Sequence, residues 1–95
     1  MVVKFLYINS LIKSYGMDKS EILARVKEVV SSVLKLDPSE ITDDANFIFD
    51  LGADSMQSVE LVAGFEEAFD IEMDQDKALE IQNIGDAVDF IAEYL

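Results

Sequence analysis

The sequence predicts an all-α fold: a small antiparallel four-helix bundle with three main helices, one short helix and a long loop between the first two. Three observations predict it. Apolar residues recur at steps of three and four within separate segments, which is the stripe of an amphipathic helix. No strand-like alternation follows residue 17. The segments are also too short to bury their apolar faces except against one another, so 95 residues, 51% of them hydrophobic, make one domain with a modest core and no deep cleft.

Residues 1–16 stand apart, being apolar, mildly basic and without an acid. Asn9, Ser10 and Lys13 interrupt the apolar run, so it makes a poor signal peptide, and it is too short to cross a bilayer. Phe5, Ile8, Ile12 and Tyr15 can form one face of a short docking helix; the plainer reading, preferred here, is a loosely ordered N-terminal extension upstream of a natural start at Met17. From Asp18 the pattern becomes regular. Asp18 and Glu21 have the spacing of a capping box. Ile22, Val26, Val29, Val33 and Leu36 follow as a stripe, and Asp37-Pro38 stops the helix, giving a first helix over 19–35. Residues 37–54 form a loop longer than is usual without a function. Within it Pro38–Ile41 can make one turn, and Ile41, Phe47, Ile48 and Leu51 read as apolar pegs pinning it across the core.

The second helix, 55–69, has two faces at about 100° per residue. Leu61, Val62, Phe65 and Phe69, with Ser58 among them, form the core stripe. Ser55, Met56, Val59, Glu60, Ala63, Glu66 and Glu67 form another. Apolar residues at helical spacing are usually core, and Met56 and Val59 could be that. Their interleaving with three carboxylates argues instead for a surface that a basic partner covers. Gly64 costs this helix about 1 kcal/mol relative to Ala, which points to close packing or local softness. A short helix at 75–81 should turn Ala78, Leu79 and Ile81 inward, and Asn83 caps a last helix with the stripe Ile84, Val88, Ile91 and Leu95.

Composition narrows the function. The chain has no Cys and no His, which removes disulfides, thiolate sites, the usual general base and the commonest metal ligand. An enzyme is therefore not expected. The net charge is −13, and residues 36–95 hold one cation, Lys77, against seventeen acids. Such a surface repels nucleic acids and anionic membranes and attracts basic protein patches. Asp70, Glu72, Asp74 and Asp76 alternate as in an EF-hand, but Gln75 and Ile81 occupy the positions that need Gly and Glu. Loose cation binding is all they support.

That leaves Asp54-Ser55, delivered by a glycine-containing loop to a helix start. Orphan N–H groups and the helix dipole favour a negative group there, so a phosphate carried on Ser55 would be well placed. Ser55 cannot be a catalytic nucleophile, since only Lys77 could serve as a base. It could equally be an ordinary helix-start serine.

The run from Phe47 through Asp50-Leu-Gly-Ala-Asp-Ser55-Met-Gln-Ser-Val-Glu60-Leu61 resembles the signature of the acyl carrier protein family. The likeness extends over residues 17–95, including Phe65-Glu-Glu-Ala-Phe-Asp70 and Ile81-Gln-Asn-Ile84, and leaves residues 1–16 outside. The resemblance implies that 17–95 is an acyl carrier domain and that Ser55, with Asp54 in the same motif, is the attachment point for 4′-phosphopantetheine, moved from coenzyme A by a phosphopantetheinyl transferase. The arm's thiol would hold acyl groups as thioesters and shuttle them between enzymes of fatty-acid or related lipid synthesis. Met56, Val59, Glu60, Ala63 and Glu67 map onto partner-contacting positions, to which the angular reading adds Glu66. Basic patches on acyl-processing enzymes would read these acids. An acyl chain would shelter among Phe47, Leu51, Val62, Phe65, Ile81 and Ile84. The implied protein is a cytoplasmic monomer that binds neither nucleic acid nor metal and has no membrane span. Met56 stands where the family usually has Leu, Gln57 where Asp is common, and Ala63-Gly64-Phe65 where Met-Ala-Leu is frequent. These departures point to a specialised paralogue. A polyketide, D-alanyl or other acyl carrier, or an unmodified acidic interaction module, are the alternatives.

Overall fold

A computed structural model describes residues 17–95, and the expected extension, 1–16, lies outside the described residues. The described chain folds as α1 (Lys19–Leu34), a single 3-10 turn (Pro38–Glu40), α2 (Ser55–Phe69), α3 (Gln75–Leu79) and α4 (Ile84–Ala92). The all-α bundle with three longer helices, one short helix and a long first loop is therefore what forms. Helix α1 packs against both α2 and α4, and α3 lies on α2.

Asp18 caps α1, accepting from the Glu21 amide at 2.9 Å, but no return bond from Glu21 closes the expected box. The Ser20 hydroxyl binds Asp18 instead, at 2.6 Å. That hydroxyl, and after it the Glu21 amide, hold the Asp18 carboxyl below its ordinary range. The helix ends one residue earlier than expected because Lys35 adopts the left-handed conformation at φ 57°. Its sealed face is Ile22, Val26 and Val30, whereas Val29 and Val33 of the expected stripe are half-buried. A helix flanked by two neighbours needs a broad stripe, so Val30 takes the centre and Val29 turns towards α2.

Gly64 sets how closely α1 and α2 approach. A Cβ there would lie 2.8 Å from Val29 Cγ1. The glycine expected to cost helix stability therefore makes room for a β-branched side chain on the facing helix.

The loop from 41 to 54 is pinned, though not by every expected peg. Ile41 and Phe47 are buried and Leu51 is half-buried against the core, while Ile48 is 58% exposed. Its exposure follows from a tight turn around Asn46. The Asn46 Oδ1 accepts from the Ile48 and Phe49 amides, both at 2.9 Å, and the Asp50 carboxylate accepts from the Asn46 amide at 2.8 Å. A chain wrapped this tightly sends side chains 48 and 49 outward. The turn is tied to the start of α4 by Phe47 N–H to the Gln82 carbonyl at 2.9 Å and Ile84 N–H to the Ala45 carbonyl at 3.0 Å. A single antiparallel bridge between Asn46 and Asn83 completes the junction.

Helix α3 also differs from expectation. Ala78 is buried and Ile81 half-buried, but Leu79 is 44% exposed. With only five residues, α3 can turn one narrow edge to α2, and Leu79 sits about 100° past Ala78. Met73, which carries no periodic signal, is buried just before it. The Met73 amide donates to Glu66 Oε2 at 2.9 Å and the Asp74 amide to the Tyr94 hydroxyl at 3.0 Å, holding the link in place. In α4, Ile84, Val88 and Ile91 are buried as expected, joined by Ala87. Among the described residues the core contains no polar or charged side chain.

Gly64→Ala tests the close approach. Overpacking against Val29 should outweigh the gain in helix propensity and lower the unfolding free energy by about 1 kcal/mol. In urea titrations the Val29→Ala/Gly64→Ala pair should lose less than the two single changes summed. A Gly64→Ala protein more stable than wild type would refute this packing.

Candidate functional site

Ser55 is the first residue of α2 and is exposed. The approach to it is fixed in two steps. Gly52, at φ 75°, reverses the chain in a conformation that side-chain-bearing residues rarely adopt. Asp54 then closes a complete capping box: its Oδ1 accepts from the Gln57 amide at 2.7 Å, and Gln57 Oε1 accepts from the Asp54 amide at 3.1 Å. The box expected at Asp18 thus forms at Asp54, and Gln57, noted as a departure from the family pattern, is half of it.

The Ser55 hydroxyl is left over. The hydroxyls of Ser20, Ser31, Ser39 and Ser58 each donate to a neighbouring side chain or backbone oxygen, at 2.6 to 3.0 Å. Those of Ser55 and Ser32 donate to no protein group among the described residues, and of these two only Ser55 opens a helix. The first turn of a helix leaves its early amides without intrahelical acceptors. Asp54 takes one of them, and the amides of Ser55 and Met56 remain at the end of the helix dipole. An exposed, uncommitted hydroxyl at a capped helix start, with no cation among the described residues bonded to it, fits a phosphate held by a covalent bond better than one held by charge.

The outer face of α2 is now defined. Met56 is 73% and Val59 44% exposed, so neither is core. Glu60, Ala63 and Glu67 are exposed with them. Glu66 differs: it is half-buried, and one of its carboxylate oxygens accepts from the Met73 amide. It braces the α2–α3 link.

Beside this face lies a cavity of about 350 Å³ between the Asn46–Phe49 turn, α2 and the α3 region. Phe47, Val62, Phe65 and Ile81 line it, and the Phe47 and Phe65 rings meet at a centroid distance of 6.5 Å. Leu51 and Ile84 do not line it. Ile84 is fully buried, its amide bound to the Ala45 carbonyl beneath the loop, and Leu51 packs half-buried against the core. Leu61, Met73, Ala78 and Ala87 line the cavity without having been singled out for it. The signal that could have found Leu61 is its place on the core stripe of α2; Met73 carried none. Ser58 also reaches the wall, with its hydroxyl donated to the Asp54 carbonyl at 3.0 Å.

Asp70 and Asp74 of the alternating acids serve as helix caps, and among the described residues no three acids gather as a metal-holding group. No helix among them is long and apolar enough to cross a membrane.

A helical domain that presents an exposed serine at a capped helix start, together with an apolar cavity and an acidic face, has the form of a carrier, a protein that holds a group for others to act on. Comparison with known proteins makes the class specific. The family model for the phosphopantetheine attachment site matches residues 24–91. The acyl carrier protein of Caulobacter vibrioides strain CB 15 is 55% identical over 74 residues, covering 78% of this chain and 95% of the relative. That of Phenylobacterium zucineum is 54% identical over 76 residues, 80% of this chain and 96% of the relative. The acyl carrier protein of Guillardia theta is 49% identical over 77 residues, 81% and 95%. The chain belongs to the acyl carrier protein family. It is a carrier and not an enzyme, and its domain is one to which 4′-phosphopantetheine is attached.

Asp54→Ala deletes the acceptor of the capping box and should cost about 1 kcal/mol of unfolding free energy, with Asp54→Asn close to wild type. Chemical denaturation of the three proteins measures it; an unchanged Asp54→Ala midpoint would contradict the role given to the box.

Proposed function

We propose that residues 17–95 are the carrier domain and that Ser55 is its attachment residue. On this reading the protein holds acyl intermediates for enzymes of fatty-acid or related lipid synthesis. The observation that carries it is the Ser55 hydroxyl, exposed and unbonded at the start of α2. When bound, 4′-phosphopantetheine supplies a terminal thiol that takes acyl groups as thioesters, chemistry that a chain without Cys lacks.

The chain's own residues do the rest. Ser55 Oγ attacks the phosphorus of coenzyme A that bears the pantetheine arm; the new P–O bond forms as the pyrophosphate bond breaks, and 3′,5′-ADP leaves. The hydroxyl proton goes to the transferase, because this chain has no His to receive it. Asp54 and Gln57 hold the helix start, and the amides of Ser55 and Met56 would be the donors available to an attached phosphate. Met56, Val59, Glu60, Ala63 and Glu67 form the docking face, apolar at its centre and acidic around it, for basic patches on the transferase and acyl-processing enzymes. Glu66 joins this face through the carboxylate oxygen that the Met73 amide does not use. Phe47, Val62, Phe65 and Ile81 shelter an acyl chain, with Leu51 and Ile84 packed behind. The charge of −13 opposes self-association, consistent with a cytoplasmic monomer.

Treatment with coenzyme A and a phosphopantetheinyl transferase should add one phosphopantetheine to the mass of the wild-type protein and nothing to Ser55→Ala. An unmodified wild type would overturn the reading in favour of an acidic interaction module. At low salt Glu60→Lys should slow loading by about tenfold, with the difference shrinking as salt screens the pair.

A further inference from the structure

The sulfur of this chain is unevenly placed. There is no Cys, so thioethers are the only sulfur it carries before any arm is attached. Among the described residues these are Met17, Met56 and Met73. Met73 is buried, its backbone amide bonded to Glu66, and Met17 is half-buried against the core. Met56 alone is open, 73% exposed on the first turn of α2. A hydroperoxide that meets the folded protein therefore reaches this thioether ahead of the other two.

The same exposure decides what oxidation does. Met56 is no part of the core, so a polar sulfoxide in its place costs the fold little. Its effect falls on the surface. Met56 follows Ser55 directly, and consecutive Cα atoms stand about 3.8 Å apart. Any enzyme that closes on the Ser55 hydroxyl closes on residue 56 as well, whichever partner it is. With Val59, also exposed, Met56 supplies the apolar centre of a face bordered by Glu60 and Glu67. A sulfoxide there removes apolar contact and adds an S=O group that must be desolvated when covered.

We propose that Met56 is a reversible oxidation site that slows traffic through Ser55 without unfolding the domain. The effect on traffic rests on the carrier reading above. The oxidant is a hydroperoxide. Its terminal oxygen bonds to Met56 Sδ as the O–O bond breaks; the sulfur gives up two electrons and the peroxide leaves as water or an alcohol. In reverse, two thiols of a methionine sulfoxide reductase supply two electrons, become a disulfide and release the oxygen as water. Because Met56 is exposed in the folded protein, the reductase needs no unfolding to reach it.

The test exposes the full chain, with Ser55 unmodified, to hydrogen peroxide and follows oxygen uptake by peptide mass mapping. Met56 should gain oxygen at least about fivefold faster than Met17 or Met73. In steady-state loading with coenzyme A and a phosphopantetheinyl transferase, the Met56 sulfoxide should raise KM for the carrier about fivefold. Reductases for the two sulfoxide epimers should return it to the untreated value. Met56→Leu should load equally before and after peroxide, and thermal midpoints should agree closely throughout. Met17 or Met73 oxidising as fast as Met56 would overturn the proposal. So would a sulfoxide KM within about twofold of the untreated protein, a lowered thermal midpoint, or an equal loss in Met56→Leu. Failure of the carrier reading looks different: untreated wild type would gain no phosphopantetheine, which overturns the loading effect together with that reading.

Discussion

The side chain of Asn46 organises the part of the molecule where function gathers. Its carbonyl oxygen receives two successive backbone amides, and the backbone N–H of Asn46 donates to the Asp50 carboxylate, so the residues from 46 to 50 close into a turn with few unpaired donors. The same turn is bridged to Asn83, whose side chain caps α4 by accepting from the Asp86 amide. One junction therefore fixes the cavity edge, the outward display of Ile48 and Phe49, the start of α4 and the run into Gly52 and Ser55. The hydrophobic core holds the helices together; this junction decides where the loop ends relative to them. A loop of this length without such a tie would carry Ser55 on a mobile tether.

The second constraint is charge. The acids that make the surface attractive to basic partners also repel one another in the folded state. Helix α1 supplies the counterweight in three places. Lys19 pairs with Asp89 of α4, Arg25 donates to the Ala68 carbonyl at the end of α2, and Lys27 pairs with Asp43 of the loop. Each exposed pair contributes at most about 1 kcal/mol, so their value lies in distribution. They tie α1 to α4, to the end of α2 and to the loop while leaving the α2 face unneutralised. Arg25 has a further effect, because it meets the carbonyl end of a helix whose last turn carries no basic residue of its own.

The helices and the two faces of α2 were legible in the sequence because they rest on a period: Leu61, Val62, Phe65 and Phe69 repeat at helical spacing, and nothing in the tertiary structure overrides them. Ser55 was legible as a helix start for the same reason, and the family through the motif around it. What the period could not show is side-chain direction outside long helices. Ile48 looked like a core peg because apolarity in a loop says nothing about orientation, and two amides bound to Asn46 turned it out. Leu79 failed similarly, since one turn of helix is too short to define a stripe. Val30 displaced Val29 because α1 faces two neighbours, a tertiary fact. Met73 is buried by bonds to Glu66 and next to a link held by Tyr94, contacts that span 7 and 20 residues and leave no local trace.

The departures from the family pattern around Ser55 can now be separated by what each side chain touches. Gln57 closes the capping box and is spent on holding the helix start. Gly64 faces Val29 across the α1–α2 contact and concerns packing alone. Neither can tell one pathway from another. Met56 and Phe65 are different. Met56 is 73% exposed next to Ser55, an unbranched and adaptable side chain where an enzyme must approach. Phe65 stands in the cavity wall with its ring against Phe47, where a bulkier group subtracts from the space a chain could fill. On the proposed reading Met56 would meet the partner and Phe65 the cargo, from opposite sides of the same helix. On that reading specialisation falls on those two positions, while the capping box and the Asn46 turn go on holding Ser55 at the helix start.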